Sequence, residues 1–209
     1  MATELLGKSK EELRGYFAEL GEPGYRAAQV YHALYAERKF RFAEMSNLPA
    51  ELRARLSEEA RITLPEITRR YVSQDGSVRY LFALAPGEER GAARAASVEA
   101  VFMPSEGRQT LCISTQAGCA VDCRFCLTAQ LGLVRNLTAG EIVAQVLVAL
   151  EEHKGQLAPQ TNVVLMGQGE PLLNYDAVMG TVRILLDQRC AGLSPRHVSL
   201  STSGIVPGI

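Results

Sequence analysis

The spacing of apolar positions changes character twice along the chain. From about residue 8 to residue 60 it is helical. Leu13, Phe17 and Leu20 recur at intervals of three and four behind Ser9, and Gly21 ends the run. Glu12 stands three residues after Ser9 and completes a capping box. Ala27, Val30, Tyr31 and Leu34 mark a second helix over residues 24–35, and Leu52 and Leu56 a third from about Pro49 to Ala60. Residues 40–49 between them read as a loop or short turn. After Pro65 a strand pattern takes over. Segments 67–72 and 77–84 flank Asp75-Gly76, a strong hairpin signal. Segments 97–103 and 109–114 form a second expected pair turning at 104–107, and the small, polar stretch 87–96 reads as a mobile loop.

From there strands and helices alternate. Thr138, with Glu141 at the capping-box position, opens a helix whose apolar face is Ile142, Val143, Val146, Leu147 and Leu150. A short strand at 161–166, a helix from about 175 to 188 carrying Val178, Val182, Ile184 and Leu185, and a strand at 196–202 follow. This βαβαβ order predicts parallel strands with right-handed crossovers, as in an α/β barrel. Three strands cannot close a barrel, so the pattern is expected to be the front part of a longer protein. The expected division is a helical accessory domain over 1–64, hairpin and linker strands over 65–105, and barrel units over 106–209.

Composition adds bounds. With 209 residues, 47% hydrophobic and 22% charged, the chain is globular in character and allows one or two domains. A formal charge of −1 and the lack of a long apolar run give no global signal for nucleic acid or membrane. Arg26, Arg38, Lys39, Arg41, Arg53 and Arg55 tint the helical region basic, against Glu37, Glu44, Glu51, Glu58 and Glu59. A solvated helix face and a module touching RNA phosphates are both open readings. The start of the chain lacks the basic and apolar regions of an export signal, and five cysteines in such a chain suit a reduced cytoplasmic setting. Trp is absent and aromatics make up 6%, which excludes widespread base stacking.

The candidate chemistry centres on Cys119-Ala-Val-Asp-Cys123-Arg-Phe-Cys126. Three closely spaced thiolates cannot pair among themselves without leaving one over, and they suit convergence on one soft metal centre. Structural zinc wants a fourth ligand at similar spacing, and the next candidates are the distant Cys190 and His153. A four-iron cluster with one iron open to another ligand accepts three. Met166-Gly-Gln-Gly-Glu-Pro-Leu-Leu-Asn174 lies at the C-terminal end of a predicted strand, where α/β barrels place their sites. Its glycines would let backbone approach a ligand, and Glu170 offers an acceptor for an ammonium or hydroxyls; alone, the segment could be a tight turn. Taken singly, Cys112 reads as a small buried hydrophobe and Glu99 as a solvent-facing strand residue. Cys190 reads as structural, and His32, His153 and His197 as surface or packing residues.

Together these segments, with Thr110-Leu-Cys-Ile-Ser-Thr-Gln-Ala-Gly118, Phe125-Cys-Leu-Thr-Ala-Gln-Leu-Gly-Leu-Val-Arg-Asn-Leu137 and Ser199-Leu-Ser-Thr-Ser-Gly-Ile-Val-Pro207, closely resemble the RlmN/Cfr family of radical S-adenosylmethionine (SAM) RNA methyltransferases, above all its RlmN branch. Tyr25-Arg-Ala-Ala-Gln-Val30 and Met45-Ser-Asn-Leu-Pro49 resemble that family's N-terminal accessory domain. The resemblance implies an α/β fold: a partial radical SAM (βα) barrel of three βα units, preceded by a small helical domain and a β-hairpin. It implies a [4Fe-4S] cluster on Cys119, Cys123 and Cys126, and SAM against Gly169, Glu170 and Ser201. The implied reaction is methylation of adenosine C2 in the peptidyl-transferase region of 23S rRNA and beside the anticodon of tRNA. In the family a methylated cysteine supplies the carbon, a radical made from a second SAM activates it, and another cysteine releases the product by forming a disulfide. Cys112 matches that resolving cysteine and Glu99 the proton acceptor. An electron donor such as flavodoxin, a monomeric state and no membrane association are also implied. Gln168 departs from the family's usual methionine, and the methyl-carrying cysteine has no counterpart among these residues. Other expectations stay open: a different radical SAM reaction, or an RNA-binding or cluster-binding fragment without complete turnover.

Overall fold

The computed structural model describes residues 2–86, 96–189 and 191–209. In chain order the elements are β1 (Thr3–Glu4), α1 (Lys10–Glu19), α2 (Gly24–Tyr35), α3 (Ala50–Glu59), β2 (Ala60–Arg61), β3 (Glu66–Val72), β4 (Val78–Leu84), β5 (Ala96–Ser105), β6 (Arg108–Cys112), β7 (Gln116–Gly118), β8 (Leu133–Asn136), α4 (Ala139–Glu152), β9 (Gln160–Leu165), α5 (Tyr175–Leu186) and β10 (Val198–Leu200). The loop expected at 87–96 falls, except for Ala96, outside the described residues, as does Cys190.

The helical region folds around Leu5, Leu13, Phe17, Val30, Leu34, Met45 and Leu56, all fully buried. Ser9 and Glu12 form the expected capping box on α1. The 40–49 segment does more than connect. A 3-10 turn at Phe42–Glu44 places Phe42, Met45 and Leu48 in the core. Parallel pairing of β1 with β2 closes this region, a contact too short to leave a period in the sequence.

The remaining strands make a six-stranded sheet in the order β10-β9-β6-β5-β4-β3. β3 to β6 run antiparallel, while β6, β9 and β10 are parallel, with α4 and α5 as the crossovers. The boundary expected between residues 105 and 106 is a turn inside this one sheet. Alternation sets the two faces. Tyr80, Phe82, Val98, Ala100, Phe102, Leu111 and Val163 are buried with Val143, Val146 and Leu147 of α4 and Val178 and Leu185 of α5. Opposite them, Tyr71, Arg79, Val101, Cys112, Val164 and Ser199 lie in lateral register on the other face, which no helix among the described residues covers.

Two contacts fix the end of α4 on the covered face. Arg70 makes a bidentate pair with Glu152, its Nη2 at 2.9 Å from Oε2. The His153 ring lies flat on Phe102, with centroids 3.8 Å apart, and its Nε2 is 2.7 Å from the Tyr80 hydroxyl. Burial holds the His153 pKa below its ordinary value, and burial pushes Tyr80 up to about 12. His153 is thus a packing residue, as its isolated position in the sequence suggested.

The start of α4 is fixed by a backbone contact. Gly7, at φ +91°, lies against Gly140, where a Cβ added to Gly140 would sit 2.5 Å from the Leu6 carbonyl oxygen. Tyr35 clamps the same segment, accepting from Gly7 N at 2.8 Å and donating to Lys8 O at 3.2 Å. Gly140→Ala should therefore destabilise. Alanine's helix propensity offers about 1 kcal/mol, but overpacking against rigid backbone costs roughly 1–3 kcal/mol, so a lowered thermal midpoint is expected. The neutral-ring preference of His153 gives a pH signature: its contribution is complete above the unfolded value near 6.5 and is lost as pH falls below it. Urea midpoints taken above and below that value should differ more in the parent chain than in His153→Gln.

Candidate metal centre and cofactor site

β6 ends at Cys112, and the next residues leave the sheet while still buried, so their backbone groups need partners. Ser114 N donates to Gln145 Oε1 and Gln145 Nε2 donates back to Ser114 O, both at 2.9 Å, inside the core. On the other side the loop after β9 is joined to the same residues. Gly167 N donates to Ile113 O at 3.0 Å, Thr115 N to Gln168 O at 2.8 Å, and Gln168 N to Ser114 Oγ at 2.9 Å. Glu170 N reaches Gln116 Oε1 at 2.9 Å. The glycines of this loop meet protein. A Cβ on Gly167 would lie 2.8 Å from Ile113 O, and one on Gly169, whose φ is +100°, would lie 2.7 Å from Gln116 N. Close backbone approach is required, as the sequence suggested, but the described partner is segment 113–116.

The cysteine loop springs from that segment. β7 and β8 pair antiparallel, Gln116 opposite Asn136 and Ala117 opposite Arg135, and close the neck of a loop spanning residues 119–131. Gly118, at φ +75°, admits no side chain, because a Cβ would fall 1.8 Å from Gly132 O. Asn174 Nδ2 braces the neck by donating to Thr115 O and Leu137 O, each at 2.8 Å. Arg135, 6% exposed at its side chain, donates from Nη1 and Nη2 to Glu141 at 2.8 and 2.6 Å, joining the neck to the first turn of α4. Gln116, Arg135, Gln145 and Asn174 were not singled out in the sequence. Each is polar and buried, but a single sequence gives no burial for a glutamine or asparagine inside an apolar or turn-like stretch.

Within the loop Cys119, Cys123 and Cys126 are free and half-buried. Val121 N donates to Cys119 Sγ at 3.4 Å. The backbone N–H and the hydroxyl of Thr128 hold the Cys126 thiol below its ordinary pKa, which favours the thiolate that binds metal. Three soft, accessible donors, two of them already receiving N–H groups, fit a thiolate-held centre in their chemistry. The structure does not converge them: no three Cys, His, Asp or Glu side chains among the described residues are close enough to share an ion. Phe125 projects beside Cys126, 94% exposed.

The other expected site residues sit at neighbouring strand ends. Cys112 faces Val101 across β5 and Val164 across β9, and burial pushes its thiol up while the Met166 backbone N–H pulls against it. Glu99 lies two residues before Val101 on the same face, with its carboxylate 3.6 Å from Arg79 and its carbonyl accepting from Ser114 Oγ at 2.6 Å. Ser201 follows β10, its N–H 3.4 Å from Leu165 O. Glu170 is buried with its acceptor sites filled. Oε1 accepts from Leu172 N at 3.0 Å and Thr202 Oγ1 at 2.7 Å, and Oε2 from Ser203 N at 2.7 Å and Ser203 Oγ at 2.9 Å. Burial by itself would raise its pKa, but these donors, the Ser203 N–H foremost, outweigh it and hold the carboxyl low. Beside it, Gln168 Oε1 is buried with no hydrogen-bond partner among the described residues.

Glu170 therefore ties the loop after β9 to the loop after β10. Glu170→Ala removes the acceptor of the Leu172 and Ser203 N–H groups; Ser203 is exposed and can turn to water, so about 1–3 kcal/mol of stability should be lost, the range for one hydrogen bond to a charged group or one unsatisfied buried one. Glu170→Gln, which turns an N–H₂ toward donors, should recover only part. Because the folded pKa is depressed, the tie is present above the unfolded value near 4.5 and is lost as pH falls through the folded one. Urea unfolding of both variants across mildly acidic pH checks all three statements.

Residues 3–62 match the ribosomal RNA large subunit methyltransferase N-terminal domain, and residues 113–208 match the radical SAM superfamily. The chain is 44% identical over 202 residues to a dual-specificity RNA methyltransferase RlmN of Alkalilimnicola ehrlichii, covering 97% of this chain and 54% of that protein. It is 48% identical over 193 residues to a probable dual-specificity RNA methyltransferase RlmN of Thermus thermophilus, covering 91% and 52%. The crystal structure of a radical SAM methyltransferase from Sphaerobacter thermophilus superposes with a TM-score of 0.86 at 38% identity, over 98% of this chain and 58% of that one. The chain spans about half the length of the curated relatives it matches. An accessory helical region matching the one family, a cysteine loop and strand ends matching the other, and identity running through both make this chain a member of the RlmN family of radical SAM proteins.

Proposed function

We propose that this chain serves the radical SAM methylation of adenosine C2 in 23S ribosomal RNA and in transfer RNA. The observation that carries the reading is a juxtaposition. The necked cysteine loop and the Met166–Glu170 loop hang from one four-residue segment, 113–116, directly beyond Cys112 and beside Glu99. Cys119, Cys123 and Cys126 would hold a [4Fe-4S] cluster, and Gly169, Glu170 and Ser201 would line the SAM site. When bound, these groups supply one-electron cleavage of the sulfonium and the methyl carbon.

The remaining roles belong to side chains of the chain. Glu99 would take the C2 proton, with the Arg79 guanidinium 3.6 Å from its carboxylate. Cys112, its thiol raised by burial, stays protonated until it is needed to release the product. The filled carboxylate of Glu170 and the unpaired Gln168 Oε1 divide the labour in the loop after β9. Glu170 fixes the loop, and Gln168 leaves an acceptor suited to the ammonium of SAM. The family setting is cytoplasmic, with a monomer drawing electrons from a donor such as flavodoxin. Among the described residues, no helix is long and apolar enough to cross a membrane.

Anaerobic reconstitution with iron and sulfide tests the reading, followed by incubation with SAM, dithionite and adenosine-containing RNA. About four irons per chain are expected, together with 5′-deoxyadenosine by mass spectrometry. Both should be lost in Cys123→Ala. Cys112→Ser should retain the iron and the 5′-deoxyadenosine. 2-Methyladenosine in the digested RNA would extend the result to the base. A chain that binds no iron refutes the proposal.

A further inference from the structure

The uncovered face of the sheet carries a feature centred on Tyr71, a residue that the proposed chemistry does not use. Tyr71, in β3, is 42% exposed in a chain with few aromatics. The Arg79 guanidinium carbon lies 4.7 Å from the centre of its ring, and Arg69 Nη1 lies 3.5 Å from its hydroxyl. A β-bulge at residue 68 puts these side chains together. The register steps from Ile67 opposite Phe82 to Arg69 opposite Leu81, so Arg69 and Tyr71 both point away from the helices.

Arg70 shows what a structural arginine does here. It points to the other face and closes a bidentate pair with Glu152. Arg69 and Arg79 make no such pair among the described residues. Arg69 meets the Tyr71 hydroxyl, and Arg79 meets the Tyr71 ring and a single Glu99 oxygen at 3.6 Å. Both therefore keep donors free in solvent. An exposed ring flanked by two guanidiniums is the combination that single-stranded nucleic acid uses, with a base on the ring and phosphates on the cations.

Position strengthens the case. Tyr71, Arg79, Val101 and Cys112 stand opposite one another on successive strands. At about 4.8 Å between strands, Arg79 is roughly 10 Å and Tyr71 roughly 14 Å from Cys112 along the sheet. That is the neighbourhood of a nucleotide adjoining a base held at Cys112. We infer that the open face of the β3–β4 hairpin is a docking platform for single-stranded RNA flanking the target adenosine, with Tyr71 stacking a base and Arg69 and Arg79 holding phosphates. The inference rests on the RNA-directed reading above. It makes Tyr71, Arg69 and Arg79 positioning residues. Binding of RNA by Arg79 would also relax its hold on Glu99, coupling substrate arrival to the proposed proton acceptor.

The test is fluorescence anisotropy of a labelled, adenosine-containing single-stranded oligoribonucleotide titrated with the chain at several salt concentrations. Iron content after reconstitution is measured on the same preparations. Tyr71→Ala should weaken binding roughly five- to hundredfold, the range for loss of one base–aromatic stack, and Tyr71→Phe should bind like the parent. Arg79→Gln should lower the slope of log affinity against log salt by about 1. Arg70→Gln, on the covered face, should leave affinity and slope unchanged. Thermal midpoints establish that each variant is folded at the assay temperature. Parent-like affinity and slope in both Tyr71→Ala and Arg79→Gln overturn the platform while leaving the radical SAM reading intact. A parent chain that takes up iron but binds no RNA also overturns it. RNA binding lost in these variants, in a chain that takes up no iron, would support the platform and refute the cluster. Self-association that Tyr71→Ala abolishes without changing RNA affinity would assign the face to a second copy and overturn the proposal.

Discussion

The two loops of the candidate site hang on the backbone of residues 113–116. A strand that leaves its sheet while still buried must find hydrogen bonds elsewhere, because an unpaired buried amide costs free energy comparable to a lost hydrogen bond. Here Gln145 takes both polar groups of Ser114, and the 166–170 loop takes Ile113 O, Thr115 N and the Ser114 hydroxyl. The requirement works in both directions. The loop after β9 is held in place because it satisfies β6, and the neck of the cysteine loop is held because Asn174 and Leu137 satisfy Thr115 O. Two loops from different crossovers thus acquire a fixed relation through the one segment that both satisfy. A fully satisfied buried polar network specifies one arrangement where an apolar contact would tolerate several.

The sequence made the periodic parts legible. Both capping boxes, the Asp75-Gly76 hairpin and the parallel order of β6, β9 and β10 follow from spacing and turn chemistry, which act over a few residues. The RlmN resemblance was legible for the same reason, since Cys119, Cys123, Cys126 and the Gly-Gln-Gly-Glu segment are contiguous signals. Long-range polar pairings were hidden. Nothing near Gln145 in the sequence says that it will face Ser114, and nothing near Glu170 says that Thr202 and Ser203 will fill its carboxylate. The β7–β8 neck was missed because its strands are three and four residues long and are identified by their partner alone. The bulge at residue 68 was equally silent, although it decides which of three successive side chains, Arg69, Arg70 and Tyr71, reach the open face.

The first turn of α4 joins the accessory region to the site. Glu141 closes the capping box with Thr138 N and at the same time receives both terminal nitrogens of Arg135 from the loop neck. One residue earlier, Gly140 receives the Leu6–Gly7 backbone of the helical region. A buried ion pair contributes little net stability once desolvation is counted, but it restricts geometry strongly, because breaking either half leaves a charge unpaired. The helical region is therefore braced, through one helical turn, against the element that shapes the cysteine loop.

The same logic separates the two faces of the sheet. On the covered face polar side chains are paired off: Arg70 with Glu152, and His153 with Tyr80. On the open face the polar groups are loosely paired or raised in pKa: Arg79 against Glu99 at 3.6 Å, Cys112 with its proton held by burial, and Arg69 against a neutral hydroxyl. A face built only for stability would have closed these pairs, since strand register already brings them within reach. Loose pairing keeps the groups exchangeable, and exchange with a ligand is what the proposed proton acceptor, resolving thiol and phosphate-binding guanidiniums would have in common. On the proposed reading the antiparallel hairpin extends the reactive surface laterally, in register with the strand that carries Cys112.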